Sequence, residues 1–157
     1  MPERPARWAG TPALQLHPSS FLCFDFGTRR VGVASGNTLT GAAHPLKTIR
    51  AEGDARFAAI AHLIGQWQPA ALVVGVPFHP DGAAHDNTRR AQRFARQLHG
   101  RFGLPVHEVD ERYTTTEALT TGAADADAVA AVLILEQFLR AWPTVARPQQ
   151  DAADAAA

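Results

Sequence analysis

Along the chain, short apolar runs alternate with longer segments whose apolar positions recur every three to four residues. Phe21–Phe26 and Arg30–Ser35 read as two strands joined by Gly27-Thr28-Arg29, a short glycine-containing hairpin turn. Leu46–Arg50 supplies a third strand. Asp54 then stands as the cap of a helix whose apolar positions Phe57, Ile60/Ala61 and Ile64 keep helical spacing. Ala71–Val76 is almost wholly apolar and stops at Pro77, as a central parallel strand buried on both faces would. After a polar loop from Phe78, a second helix starts at Asp86 or Asn87 and runs to about Gly100. Val106–Asp110 is the fifth strand. Thr114-x-x-Glu117 has the form of a capping box and opens a short helix. Ala126 to about Trp142 forms a last, alanine-rich helix, stopped by Pro143.

The predicted order is β-β-β-α-β-α-β-α-α. Hairpins first and βα crossovers afterwards imply an α/β domain, a mixed five-stranded sheet with helices on its faces. Residues 1–19, rich in Pro and Ala, read as a loose leader, 20–142 as the domain, and 143–157 as a disordered tail. A length of 157 residues suits one domain, and 46% hydrophobic with 19% charged residues suffices for a core. No apolar stretch approaches the length of a membrane span, and Met1–Ser20 lacks the continuous apolar region of a secretory signal. The single cysteine, Cys23, has no partner for an internal disulfide and sits in an apolar run as a small hydrophobe. These features place the expectation in the cytoplasm. The formal net charge is zero, so any surface for nucleic acid has to be local.

Three acidic residues change the picture. Asp25 lies inside an apolar strand, where a carboxylate is costly to bury without a partner. Alternation puts it on one face with Phe21 and Cys23, opposite Leu22, Phe24 and Phe26. Asp127 shares a helical stripe with Ala131, Ile134 and Phe138, on the sheet-facing side, whereas Asp125 points elsewhere. An N-cap role for Asp125 or Asp127 is the competing explanation. Glu111 and its neighbour Asp110 both end the fifth strand, and the pattern does not separate them. Carboxylates brought together repel unless a cation joins them, and Mg²⁺ or Mn²⁺ takes oxygen ligands. Carboxylates with such an ion are equipment for cutting phosphodiester bonds.

Basic residues add candidate phosphate contacts. Arg89, Arg93 and Arg96 share one face of the second helix, opposite Ala91, Phe94/Ala95 and Leu98. Arg29, Arg30 and Arg112 flank the acidic residues. Gly27 and Gly32 fit a turn and a close backbone approach, and Gly75-Val76-Pro77 reads as a strand end. The seven histidines show no metal-ligand spacing; His79 and His85 read as surface residues of the loop after the fourth strand. Trp67 and Trp142 are expected to pack.

Phe24-Asp25-Phe26-Gly27-Thr28-Arg29-Arg30-Val31-Gly32-Val33-Ala34 resembles the opening motif of the YqgF/RuvX family, a branch of the RNase H-like nucleases. Val73-Val74-Gly75-Val76-Pro77 with Asp81-Gly82 is similar to its second motif, Asp110-Glu111-Arg112-Tyr113-Thr114-Thr115 to its third, and Asp127 to Leu135 to its fourth. The four motifs stand in family order between about residues 21 and 140. The resemblance implies an RNase H-like fold, a metal-dependent nuclease and a role in maturing the 5′ end of 16S ribosomal RNA. An older family label is Holliday-junction resolvase, acting on branched DNA. By motif, Asp25, Glu111 and Asp127 would be the catalytic, metal-binding residues, in a monomer or homodimer. Two departures are visible: Thr116–Asp125 carries no basic residue, and Gly36-Asn37 stands where an acidic residue often follows the second-strand serine. Asp25-Phe26-Gly27-Thr28 also resembles the first phosphate loop of actin-like ATPases, but those need two lobes, which a domain of this length does not supply. A non-catalytic RNase H-like module that binds RNA is a further alternative.

Overall fold

A computed structural model describes residues 19–111 and 125–142. Five strands form one sheet: β1 (Ser20–Asp25), β2 (Val31–Asn37), β3 (Ala43–Ile49), β4 (Ala71–Val76) and β5 (Val106–Asp110). Three helices complete the described part: α1 (Gly53–Trp67), α2 (Asp86–Phe102) and α3 (Ala126–Arg140). The strand order is β3-β2-β1-β4-β5. The β1–β2 and β2–β3 pairs are antiparallel, and β1–β4 and β4–β5 are parallel. The mixed sheet expected from the order of hairpins and crossovers is therefore present. The leader, Arg112, the Thr114–Glu117 capping box with its short helix, and the tail lie outside the described residues.

Helices cover both faces. On one, Leu22 and Phe24 of β1 and Leu72, Val74 and Val76 of β4 pack against Phe57, Ile60 and Leu63 of α1 and Ala91, Phe94, Ala95 and Leu98 of α2. On the other, Phe21, Cys23, Val73 and Val109 meet Ala131, Ile134, Leu135, Phe138 and Leu139 of α3. Fully burying a side chain of this size contributes about 1.5–3 kcal/mol, so each layer is held by several such residues. Cys23 is wholly buried, as its apolar run suggested.

Four local expectations need correction. Asp54 does not cap α1: the N-cap is Glu52, which makes no side-chain cap bond. Asp54 sits in the first turn, where the helix dipole favours a negative charge, and faces Arg101 at 3.7 Å. His85, expected as a plain surface residue, caps α2. Its Nδ1 accepts from the Asn87 N–H at 3.2 Å, and its own N–H donates to the Thr88 hydroxyl at 3.0 Å. The Thr88 hydroxyl donates in turn to the Pro77 carbonyl, tying the helix start to the end of β4. β2 and β3 run longer than predicted because pairing overrides weak strand formers, with Ser20 opposite Asn37 and Gly36 opposite Ala43. Trp67 is 45% exposed at the end of α1, whereas Trp142 packs on Phe21 at 5.3 Å and Phe138 at 5.7 Å.

Candidate functional site

Asp25 ends β1 on the face covered by α3. Its register partners are Gly32 on β2 and Gly75 on β4, so the carboxylate stands in a cross-strand row between two residues without side chains. Other groups fill the space. A Cβ on Gly32 would lie 1.9 Å from the Asp127 carbonyl oxygen, so this glycine admits the first turn of α3 against β2. A Cβ on Gly75 would lie 2.6 Å from Glu111 Oε1 and 2.5 Å from Ile134 Cδ1, so this glycine admits Glu111. Sequence reasoning took Gly75 only as a strand end. The signal it left unused was a glycine in an otherwise fully apolar buried strand, a sign of close approach.

Strand alternation now separates Asp110 from Glu111. Glu108 and Asp110 pair with Val74 and Val76 and share their face, toward α1 and α2. Glu111 emerges on the opposite face, beside Asp25. α3 resolves the other ambiguity. Asp125 is the N-cap, accepting from the Ala128 N–H at 3.3 Å and from the Thr48 hydroxyl. Asp127, one turn position inside, is left to face the cleft, and Arg30 Nε donates to its Oδ2 at 2.8 Å.

The electrostatics follow from burial. Burial pushes the Glu111 carboxyl up to about 9, helped by the Asp25 carboxylate to which it donates a hydrogen bond and by Asp110. Burial also raises Asp25; the bond from Glu111 opposes this, and the charge of Asp127 adds to it. Two carboxyls this close share a proton, so both are held above the ordinary carboxylate range. Burial, then Asp25 and Glu111, raise the Cys23 thiol, so it offers no thiolate.

Asp25, Asp127 and the loop from Phe26 to Arg30 line a cleft of about 370 Å³. Arg29 is exposed on its wall. Arg56, buried on α1, shapes that loop: its Nε donates to the Ala51 carbonyl at 2.8 Å and its Nη2 to the Thr28 carbonyl at 3.1 Å, with the guanidinium 5.6 Å from the Phe26 ring centroid. Sequence reasoning missed Arg56. Its signal was an arginine at a stripe position, four residues before Ile60 and seven before Leu63. Arg89, Arg93 and Arg96 are exposed on α2, whose buried side covers the opposite face of the sheet. The structure therefore does not bring them together with the carboxylates, and Arg89 pairs with Asp86 at 3.3 Å. Among the described residues, no three of His, Cys, Asp and Glu are grouped closely enough to hold a metal ion.

The family model of RuvX, described as a Holliday junction resolvase, matches residues 19–141. The chain belongs to the RuvX family. This RuvX-family chain is 64% identical over 135 residues to a protein of Polaromonas sp. (strain JS666 / ATCC BAA-500), covering 86% of this chain and 98% of that one. It is 70% identical over 121 residues to a protein of Albidiferax ferrireducens, covering 77% and 78%. Both relatives carry the name "Putative pre-16S rRNA nuclease". Among solved structures, T. thermophilus RuvC in complex with a Holliday junction substrate matches with a TM-score of 0.56 at 14% identity, over 78% of this chain and 94% of that one. That likeness shows the shared RNase H-like fold.

Proposed function

We propose that this RuvX-family protein is a metal-dependent endonuclease that hydrolyses phosphodiester bonds in the 5′-end maturation of precursor 16S ribosomal RNA in the cytoplasm. The observation that carries this reading is Asp25, half-buried between Gly32 and Gly75 and hydrogen-bonded to Glu111, with Asp127 on the same cleft. The donor set fits a hard divalent ion. All three side chains offer oxygen, the nearby thiol is buried, and the pair already needs one positive charge between its carboxyls. Asp25, Glu111 and Asp127 would hold Mg²⁺ or Mn²⁺. Such an ion, when bound, polarises a phosphate and makes water a nucleophile near neutral pH.

The chain's own residues supply the rest. Arg29, on the cleft wall, is placed to bind a phosphate, and Arg30 beside it carries a second guanidinium. The clamp from Arg56 to Thr28 fixes the loop bearing both arginines. Arg112, next in sequence to Glu111, and the more distant Arg89, Arg93 and Arg96 would extend the grip on the nucleic-acid backbone. The names of the two relatives support precursor 16S RNA as substrate. The family description favours a second reading, resolution of branched DNA by a homodimer.

Cleavage by the full chain with Mg²⁺ or Mn²⁺ tests both. The substrates are an RNA spanning the precursor 16S 5′ junction and a four-way DNA junction. Cutting of the RNA, lowered at least about a hundredfold by Asp25→Asn and by Asp127→Asn, is the expected result. Cutting of the DNA junction alone establishes the second reading. Activity that survives both substitutions removes the carboxylates from the mechanism.

A further inference from the structure

The carboxylate that α3 brings to the cleft is already engaged by a cation belonging to the chain. Arg30 Nε meets Asp127 Oδ2 at 2.8 Å, while Asp25 and Glu111 are joined to each other through a proton. Each of the three acids thus already has a partner within the chain: Asp127 has Arg30, and Asp25 and Glu111 have each other. Arg30 immediately precedes β2, and its side chain remains 57% exposed. It has both a fixed root and room to swing away. Arg29, one residue earlier on the same wall, makes no ion pair among the described residues and provides an internal control.

The geometry points to Arg30 as a tethered counter-ion that competes with the divalent ion for Asp127. Resting on the metal-ion reading above, loading of the site transfers Asp127 from the guanidinium to the ion. The displaced guanidinium, still anchored at the start of β2, is then free on the cleft wall for a phosphate of the substrate. Arg30 is in this sense a positioning residue that sets when the third carboxylate becomes available. Its effect runs opposite ways in two measurements: removing it strengthens ion binding and weakens binding of nucleic acid.

The test is Mn²⁺ binding to the full chain without nucleic acid, followed by the electron paramagnetic resonance signal of the free ion. Arg30→Gln is expected to bind Mn²⁺ about fivefold tighter than the unaltered chain, the most that an ion pair this exposed supplies. Arg29→Gln, which removes the same charge from the same wall, is expected to change binding by less than about twofold, the scale of general screening. In an Asp127→Asn background, Arg30→Gln is expected to have no effect. Equal effects of Arg30→Gln and Arg29→Gln, or weaker binding in Arg30→Gln, overturn the competition while leaving the metal-ion reading intact. Absence of Mn²⁺ binding in every folded variant overturns both.

Discussion

The two faces of β1 carry the same kind of side chain for most of its length and then diverge. Toward α1 and α2, Leu22 and Phe24 lead into Phe26, whose ring lies 5.2 Å from that of Phe94. That face is apolar to its end. Toward α3, Phe21 and Cys23 begin an equally buried row, but the next position is Asp25, flanked by Gly32 and Gly75. One face closes with aromatic contacts. The other removes two side chains from the cross-strand row and fills the space with polar groups from β5 and α3. The difference teaches how a single sheet separates its duties: the α1–α2 face supplies stability, and the α3 face gives some of it up to hold charge where water is scarce.

This contrast can be broken at either face. The largest effect is expected from Leu98→Ala, which empties a fully buried position on the α1–α2 side. It should cost about 2–5 kcal/mol in urea unfolding, with unchanged nuclease rate per folded molecule. A parallel loss of rate would show that the faces are not independent. Gly32→Ala comes next, at about 1–3 kcal/mol, because its methyl would meet the Asp127 backbone, which cannot yield without moving α3. Here the loss of activity should exceed what the loss of folded protein explains, since Asp127 moves with the turn.

A third way to test the contrast is the pH dependence of the metal-free chain. The Glu111 carboxyl ordinarily ionises near 4.5 and in the folded chain near 9. The folded state therefore binds the extra proton between these values. The contribution to stability is complete below 4.5 and is lost as pH climbs toward 9. Thermal unfolding across that window should show midpoints falling with pH, and Glu111→Gln should flatten the trend. A flat profile in the unaltered chain would place the shared proton elsewhere.

Much of this was legible in the sequence because strand alternation and helical stripes are local. Asp25 opposite Phe24, Asp127 in line with Ala131 and Ile134, and the bounds of β4 and β5 follow from periods of two and 3.6. What escaped depends on neighbours distant in the chain. The stripe already favoured Asp127 over Asp125, but the N-cap role left open between them went to Asp125 with the help of Thr48, whose hydroxyl donates to it from β3. The role of Gly75 needed Glu111 across the sheet, and that of Arg56 needed the Thr28 carbonyl. The arginine face of α2 was read correctly as a face, but only the packing of α2 shows which side of the sheet it serves. Trp67 followed the apolar period yet ends outside, because α1 runs past the core at its last turn.

The covering of β1, β2 and β3 by α3 has a temporal side. A ribosome delivers all five strands before Ala126, and until then Phe21, Cys23 and Ala34 lack the α3 residues that bury them on that face. The same late segment carries Asp127 to Asp25, 102 positions upstream by subtraction of their numbers. Sealing of the second core and arrival of Asp127 beside Asp25 are thus one event, later than the emergence of the sheet. A truncated chain would be both sticky and inert. For a protein proposed to act on the RNA of the machine that makes it, nascent copies are disarmed by their own incompleteness.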